Sequence, residues 1–184
     1  HQNFIQLTDN LTEGDFLKLD FDEITDGPLC IIGNFPYNIS SQIFFKVLDN
    51  RNQVPEVIGM LQKEVADRIA AAPGSKTYGI LSVLVQAFYN VEYLFTVPPE
   101  VFNPPPKVNS AVIRCKRNEV EKLDCDEKKF KLVVKTAFNQ RRKTLRNALK
   151  SLTFATAPDE HLLTLRAERL SVADYVQITK CLAD

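Results

Sequence analysis

Four residues at the end of an apolar run could do chemistry together: Asn34-Phe35-Pro36-Tyr37, preceded by Ile31-Ile32-Gly33 and followed by Asn38-Ile39-Ser40. A buried strand delivering a polar-aromatic corner places it at the carboxyl end of a sheet, where open α/β folds bind ligands. The residue types suit a grip on the exocyclic amino group of a nucleic-acid base. Such a nitrogen is a poor nucleophile because its lone pair is delocalised into the ring. Two acceptors on its N–H groups would pull it toward tetrahedral geometry: the Asn34 side-chain oxygen and a backbone carbonyl at Phe35 or Pro36. Proline at 36 fixes φ and stiffens the turn. Tyr37 offers a flat face, and base–aromatic stacking is worth about 1–3 kcal/mol. The same four residues also read as a plain Asn-Pro turn with a packed tyrosine.

Two more segments bear on that choice. Val101-Phe102-Asn103-Pro104-Pro105-Pro106-Lys107-Val108 is a proline-stiffened loop that feeds a strand, and it can hold Phe102 as a second aromatic wall. Phe138-Asn139-Gln140-Arg141-Arg142-Lys143-Thr144-Leu145-Arg146 sets three consecutive cations into a helical stretch. The whole chain carries 23 basic and 23 acidic side chains, so net charge says nothing about a partner. Their distribution does. Lys128 to Lys150 holds nine basic residues and no acidic one, a local footprint for a polyanion or else a solvated helix face.

The elements that must position these groups follow from periodicity. Asn10–Leu17 reads as a strand running into a turn at Gly14-Asp15, and Leu29–Ile32 as a strand buried on both faces. Ser40 or Ser41 is placed to cap a helix whose face is Ile43, Phe44, Val47 and Leu48. Val57–Leu61 is a further strand, followed by a helix over Lys63–Ala71, a break at Pro73-Gly74-Ser75 and a helix over Tyr78–Tyr89. Val91–Val97 and Val108–Arg114 close an α/β pattern of the doubly wound kind. Beyond Arg117 only helix signals remain. Phe130, Val133, Val134, Ala137 and Phe138 form one face, and Leu145, Ala148, Leu149 and Leu152 a second. Ser171 with Asp174 opens a last helix over Val172–Leu182.

With 184 residues, 45% apolar and 25% charged, the chain has room for a proper core and does not read as disordered. No apolar run approaches the roughly 18 residues of a membrane span, so no membrane partner is expected. The four cysteines are far apart and fit neither a zinc site nor a disulfide framework. Cys30 and Cys115 read as small core residues. A reducing, cytoplasmic setting is the default.

Taken together, these segments closely resemble the ribosomal RNA adenine dimethyltransferases, over nearly the whole chain. Supporting blocks are Gly14-Asp15-Phe16-Leu17, Gln62-Lys63-Glu64-Val65-Ala66, Tyr78-Gly79-Ile80-Leu81-Ser82-Val83 and Leu165-Arg166-Ala167-Glu168-Arg169-Leu170-Ser171. The resemblance implies a Rossmann-like methyltransferase domain over residues 1–118 and a small all-helical RNA-binding domain over 119–184. It implies transfer of methyl groups from S-adenosylmethionine, without a metal, to N6 of two adjacent adenosines of small-subunit rRNA. Asn34, Pro36 and Tyr37 would be catalytic. Asp15 would accept from the adenine amino group of S-adenosylmethionine, with Asn34 touching methyl donor and target alike. Tyr37 and Phe102 would sandwich the flipped base, and Arg141, Arg142, Lys143 and Arg146 would bind RNA.

One departure from the family pattern stands out. The glycine-rich loop that the family places after its first strand is not found, since the glycines are 14, 27, 33, 59, 74 and 79 and no GxG occurs. The chain therefore reads as lacking the first two strands, with an Asn10–Leu17 segment that is displaced, disordered or paired with another chain, impaired S-adenosylmethionine binding and no activity by itself. The intact protein is expected to be a monomer, and an exposed sheet edge to associate. The competing readings are a large-subunit rRNA adenine methyltransferase of the macrolide-resistance type, a non-catalytic RNA-binding or ribosome-assembly module, and a DNA adenine methyltransferase.

Overall fold

A computed structural model describes residues 11–183. Strand β1 (Ile31–Asn34) leads through helix α1 (Ser40–Asp49) to the parallel strand β2 (Glu56–Gln62), in register Ile31 to Val57 and Asn34 to Met60. Helix α2 (Lys63–Ala70) follows β2 directly, and α3 (Ile80–Gln86) precedes β3 (Tyr89–Val97). A loop with one 3-10 turn (Pro99–Val101) reaches β4 (Ser110–Arg117). Strand β4 inserts between β2 and β3, antiparallel to both, so the order is β1-β2-β4-β3. Among the described residues no helix is long and apolar enough to cross a membrane.

Alternation decides which face of the sheet is packed. Val57, Gly59 and Leu61 point inward on β2, as do Ala111, Ile113 and Cys115 on β4, with Ile43, Phe44, Val47, Leu48, Val65 and Ile69 of the helices in the same core. Burial pushes the Cys115 thiol up to about 12. The opposite face is open: Ile32 is 78% and Phe95 56% exposed. The run Leu29–Ile32 is therefore not buried on both faces, because the described helices cover only the side that Ile31 shares. Cys30 likewise is exposed, one residue before the strand begins.

Other expectations shift for local reasons. Asn10, like His1 to Gln6, lies outside the described residues, and Leu11–Leu17 forms no strand. Local bonds form at Asp15 instead: the Leu17 N–H donates to Asp15 Oδ1 at 3.0 Å and the Lys18 N–H to the Asp15 carbonyl at 2.9 Å. Neither Ser40 nor Ser41 caps α1. The residue at the cap is Ile39, and Ser40 is buried with its hydroxyl donating to the Tyr37 carbonyl at 3.2 Å. Helix α3 is shorter than its apolar run, since Tyr89 already belongs to a strand whose hydroxyl donates to the Val54 carbonyl. Strand β4 starts at Ser110 rather than Val108, after Asn109 has accepted the Lys63 N–H at 2.9 Å.

The remaining chain is helical, as its periodicity requires. Helix α4 (Glu127–Asn139) is capped by Asp126, whose carboxylate accepts the Lys128 and Lys129 N–H groups at 2.8 and 2.9 Å. Two short helices follow, α5 (Leu145–Ala148) and α6 (Glu160–Thr164), the second unannounced by any periodic run. Leu152 lies past the end of α5 and packs on the core from a turn. Helix α7 (Val172–Lys180) starts with a reciprocal Ser171–Asp174 capping box.

Aromatic rings and an ion pair are among the contacts that fasten these helices to the sheet part. Tyr78, Phe138 and Tyr175 form an aromatic row with centroids 6.2 Å apart at each step. On another side Arg51 makes a two-pronged bond to Glu127 at 2.9 and 2.8 Å and lies 4.2 Å over the Phe88 ring.

Candidate active site

The corner at residues 34–37 is seated by its second residue. Phe35 is buried, its N–H donates to the Met60 carbonyl at 2.8 Å, and its ring meets Phe44 edge-on at 6.1 Å. The ring lies against the facing glycines of β1 and β2. An added Cβ at Gly33 would stand 3.5 Å from it, and one at Gly59 only 2.4 Å. An isolated glycine inside a strand is a sequence sign of such a close approach, and this is the signal that pattern reading passed over at Gly59.

Because Phe35 turns inward, its neighbours turn out. Asn34 and Pro36 are exposed and Tyr37 is half-buried. The Asn34 amide has no hydrogen-bond partner among the described residues, so both its donor and acceptor face solvent at the carboxyl end of β1. The Pro36 carbonyl accepts the Ile39 N–H at 3.1 Å. No donor among the described residues reaches the Phe35 carbonyl. The Tyr37 hydroxyl is bonded to the hydroxyl of Ser110, a fully buried residue at the start of β4. At the carboxyl end of β2, a cleft of 450 Å³ is lined by Gln62, Lys63, Glu64, Lys107 and Asn109, among others. Lys63 is paired with Asp67 at 2.6 Å there, and its ammonium is held up by that bond.

The other expected site residues are placed less closely. Phe102 is half-buried just after the 3-10 turn, its N–H on the Pro99 carbonyl at 3.1 Å, and no ring contact joins it to Tyr37. The loop that carries it ends at Ser110, where the next strand begins. Asp15 is exposed, with one carboxylate oxygen on the Leu17 N–H and the other 3.9 Å from Lys18. Its segment is tied to α1 by Lys46, whose ammonium donates to the Leu17 carbonyl at 3.2 Å. No hydrogen bond or ion pair links Asp15 to Asn34.

The basic cluster divides in two. Arg141 donates to the Lys76 carbonyl at 2.5 Å and pairs with Glu168 at 3.7 Å, while Arg146 is bonded to Glu160. Arg142 and Lys143 are exposed in the turn between α4 and α5, with no partner among the described residues. The turn itself is closed by the Lys143 N–H on the Gln140 carbonyl at 2.8 Å.

Comparison with known proteins bears on this arrangement. A family model described as ribosomal RNA adenine dimethylase matches residues 7–184. The chain is 60% identical over 181 residues to the ribosomal RNA small subunit methyltransferase A of Parabacteroides distasonis, covering 97% of the chain and 68% of that protein. To the protein of the same name from Bacteroides fragilis it is 60% identical over 176 residues, covering 94% of the chain and 65% of that protein. It thus spans about two thirds of the length of these relatives.

Among solved structures, a dimethyladenosine transferase from Plasmodium falciparum superposes with a TM-score of 0.74 at 24% identity, covering 91% of the chain and 70% of its own. The 23S rRNA methyltransferase ErmE superposes at 0.67 and 18%, covering 96% and 75%. Those likenesses show the Rossmann-like fold. The match along residues 7–184 and the identity to the two bacterial relatives show that this chain belongs to the ribosomal RNA adenine dimethylase family.

Proposed function

We propose that the protein transfers methyl groups from S-adenosylmethionine to N6 of two adjacent adenosines in small-subunit rRNA, in the cytoplasm, as a step of ribosome maturation. The observation that carries this reading is the outward, unpartnered Asn34 amide at the strand end, beside a carbonyl at Phe35 that no described donor occupies. S-adenosylmethionine supplies an electrophilic methyl on a sulfonium, and its leaving group departs as a neutral thioether. Neither a metal nor a strong base is needed for that departure: the S–CH3 bond breaks as the N6–CH3 bond forms, and the methylated nitrogen, now acidic, gives its proton to water.

The work left to the chain is positioning and electrostatic shaping. Asn34 Oδ1 and the Phe35 carbonyl accept the two N–H groups of the adenine, turning the nitrogen lone pair toward the methyl. Pro36 stiffens the corner, and its own carbonyl closes the turn onto Ile39. Tyr37 stacks on the base, with Phe102 as the opposite wall once its loop closes on the flipped nucleotide. Flipping costs a few kcal/mol, which stacking offsets. Asp15 fits a contact to the donor's adenine amino group, because one of its carboxylate oxygens is met only by the distant Lys18.

For the RNA, of the four expected cations Arg142 and Lys143 are the two that can meet phosphates without first breaking an ion pair among the described residues. Replacing both with alanine should weaken RNA binding and reduce the slope of log K against log salt by roughly 1–2 units, since each phosphate contact contributes about 0.7–0.9. Fluorescence anisotropy over a salt series measures it. An unchanged slope places the RNA surface elsewhere.

The reaction itself is tested with the complete natural polypeptide, labelled S-adenosylmethionine and small ribosomal subunits lacking the modification. Mapped dimethyladenosine at two adjacent positions is the expected product. RNA binding with no transfer would instead make this chain part of an RNA-binding assembly factor, and transfer only to large-subunit RNA would make it the sister enzyme. The identities of 60% to small-subunit relatives, against 18% to ErmE, favour the first outcome.

A further inference from the structure

Tyr37 carries a hydroxyl that stacking does not use. That hydroxyl meets the Ser110 hydroxyl across a sequence separation of 73 residues. Ser110 is completely buried, and its backbone is in register with Gln62 of β2 on one side and Val97 of β3 on the other. Its backbone is thus held at the end of an interior strand of the sheet. The near end of Tyr37 is held as well, by the Ser40 hydroxyl on its carbonyl at 3.2 Å and by Phe35 on Met60 at 2.8 Å. With both ends tied, the remaining freedom of the ring is small, and the residue is only half-buried.

We propose that Ser110 is a positioning residue for the methyl-transfer site: through the phenol of Tyr37 it fixes the plane on which the target base stacks. This rests on the stacking role proposed for Tyr37. A ring that would otherwise rock about its two side-chain torsions is pre-set, so a flipped base meets a finished wall and the cost of ordering it is already met by the fold. The same bond joins the corner to the exit of the loop that carries Phe102, since Ser110 is where that loop ends. Both candidate aromatic walls are referred to one point of the sheet.

The test is a double-mutant cycle in the complete natural polypeptide, with Ser110→Ala, Tyr37→Phe and the pair. Methyl transfer to unmodified small-subunit rRNA gives kcat and KM, and a 2-aminopurine at the target position reports stacking. Each single change should lower kcat/KM by about 3–10-fold, the worth of one hydrogen bond, and alter the 2-aminopurine signal equally. The pair should be no worse than either alone, because both remove the same bond. Losses that multiply in the pair would overturn the proposal, as would a Ser110→Ala protein that melts lower but turns over at the normal rate.

Should Ser110→Ala fail to fold, Tyr37→Phe still decides, since it leaves β4 untouched: normal turnover in that variant refutes the tether. Tyr37→Ala separates this from the wider reading. If the 2-aminopurine signal survives the loss of the whole ring, the base does not stack there at all, whatever Ser110 does.

Discussion

Asn34→Ala is expected to lower kcat for methyl transfer by about 10²–10³-fold, the usual effect of deleting one group from a preorganised electrostatic site. The melting temperature should hardly move. Asn34 joins β2 through its backbone, in register with Met60, and its side chain is exposed with no hydrogen-bond partner among the described residues. Truncating it therefore orphans no buried group and opens no cavity, and such surface changes usually stay within about 0.5 kcal/mol. RNA affinity should survive too, because stacking on Tyr37 and phosphate contacts at the turn before α5 do not involve the amide. The signature is a collapse in kcat with a near-normal KM for RNA. Single-turnover transfer at saturating RNA, beside a thermal melt, measures both. A variant that keeps most of its rate would show that the amide is not what holds N6, and the functional reading would lose its centre.

How much of this was legible in the residues depends on how local each cause is. The strand, corner and helix around Asn34-Phe35-Pro36-Tyr37 follow from short-range pattern, and so do the apolar face of α1 and the Ser171–Asp174 cap of α7. What pattern cannot carry is pairing across the chain. Leu11–Leu17 reads as a strand, yet among the described residues it pairs with none and forms turns around Asp15. Ile32 looks like a core residue until the described helices turn out to pack on one face only. Arg141 reads as a free cation, but Lys76 and Glu168, distant in sequence, claim it. Ser110 falls inside the expected strand Val108–Arg114, and nothing local to it reveals that a tyrosine from the first βαβ unit ends on its hydroxyl.

The larger structural effect is expected at Gly59, where sequence gave the signal without its meaning. Gly59→Ala would put a Cβ 2.4 Å from Phe35 Cε2 and 2.8 Å from Cδ2, so the ring must move. It has little room to do so: Phe35 is 6% exposed and its other side meets Phe44. Overpacking of this kind typically costs about 1–3 kcal/mol, which for a chain of this size lowers the melting temperature by roughly 2–12 °C. Gly33→Ala is the matched control. Its Cβ would lie 3.5 Å from the same ring, an ordinary contact, and it should be nearly neutral. The catalytic consequence follows from the backbone. Phe35 is flanked directly by Asn34 and Pro36, so a displaced ring drags the corner with it, and a misplacement near 1 Å can cost about 10²-fold in rate. Gly59→Ala should therefore lose both stability and kcat, and Phe35→Leu added to it should recover part of each by vacating the space. Circular-dichroism melts and single-turnover rates on the three variants test the chain of cause. If Gly59→Ala matches Gly33→Ala in both measurements, the close approach of ring to strand is not what seats the corner.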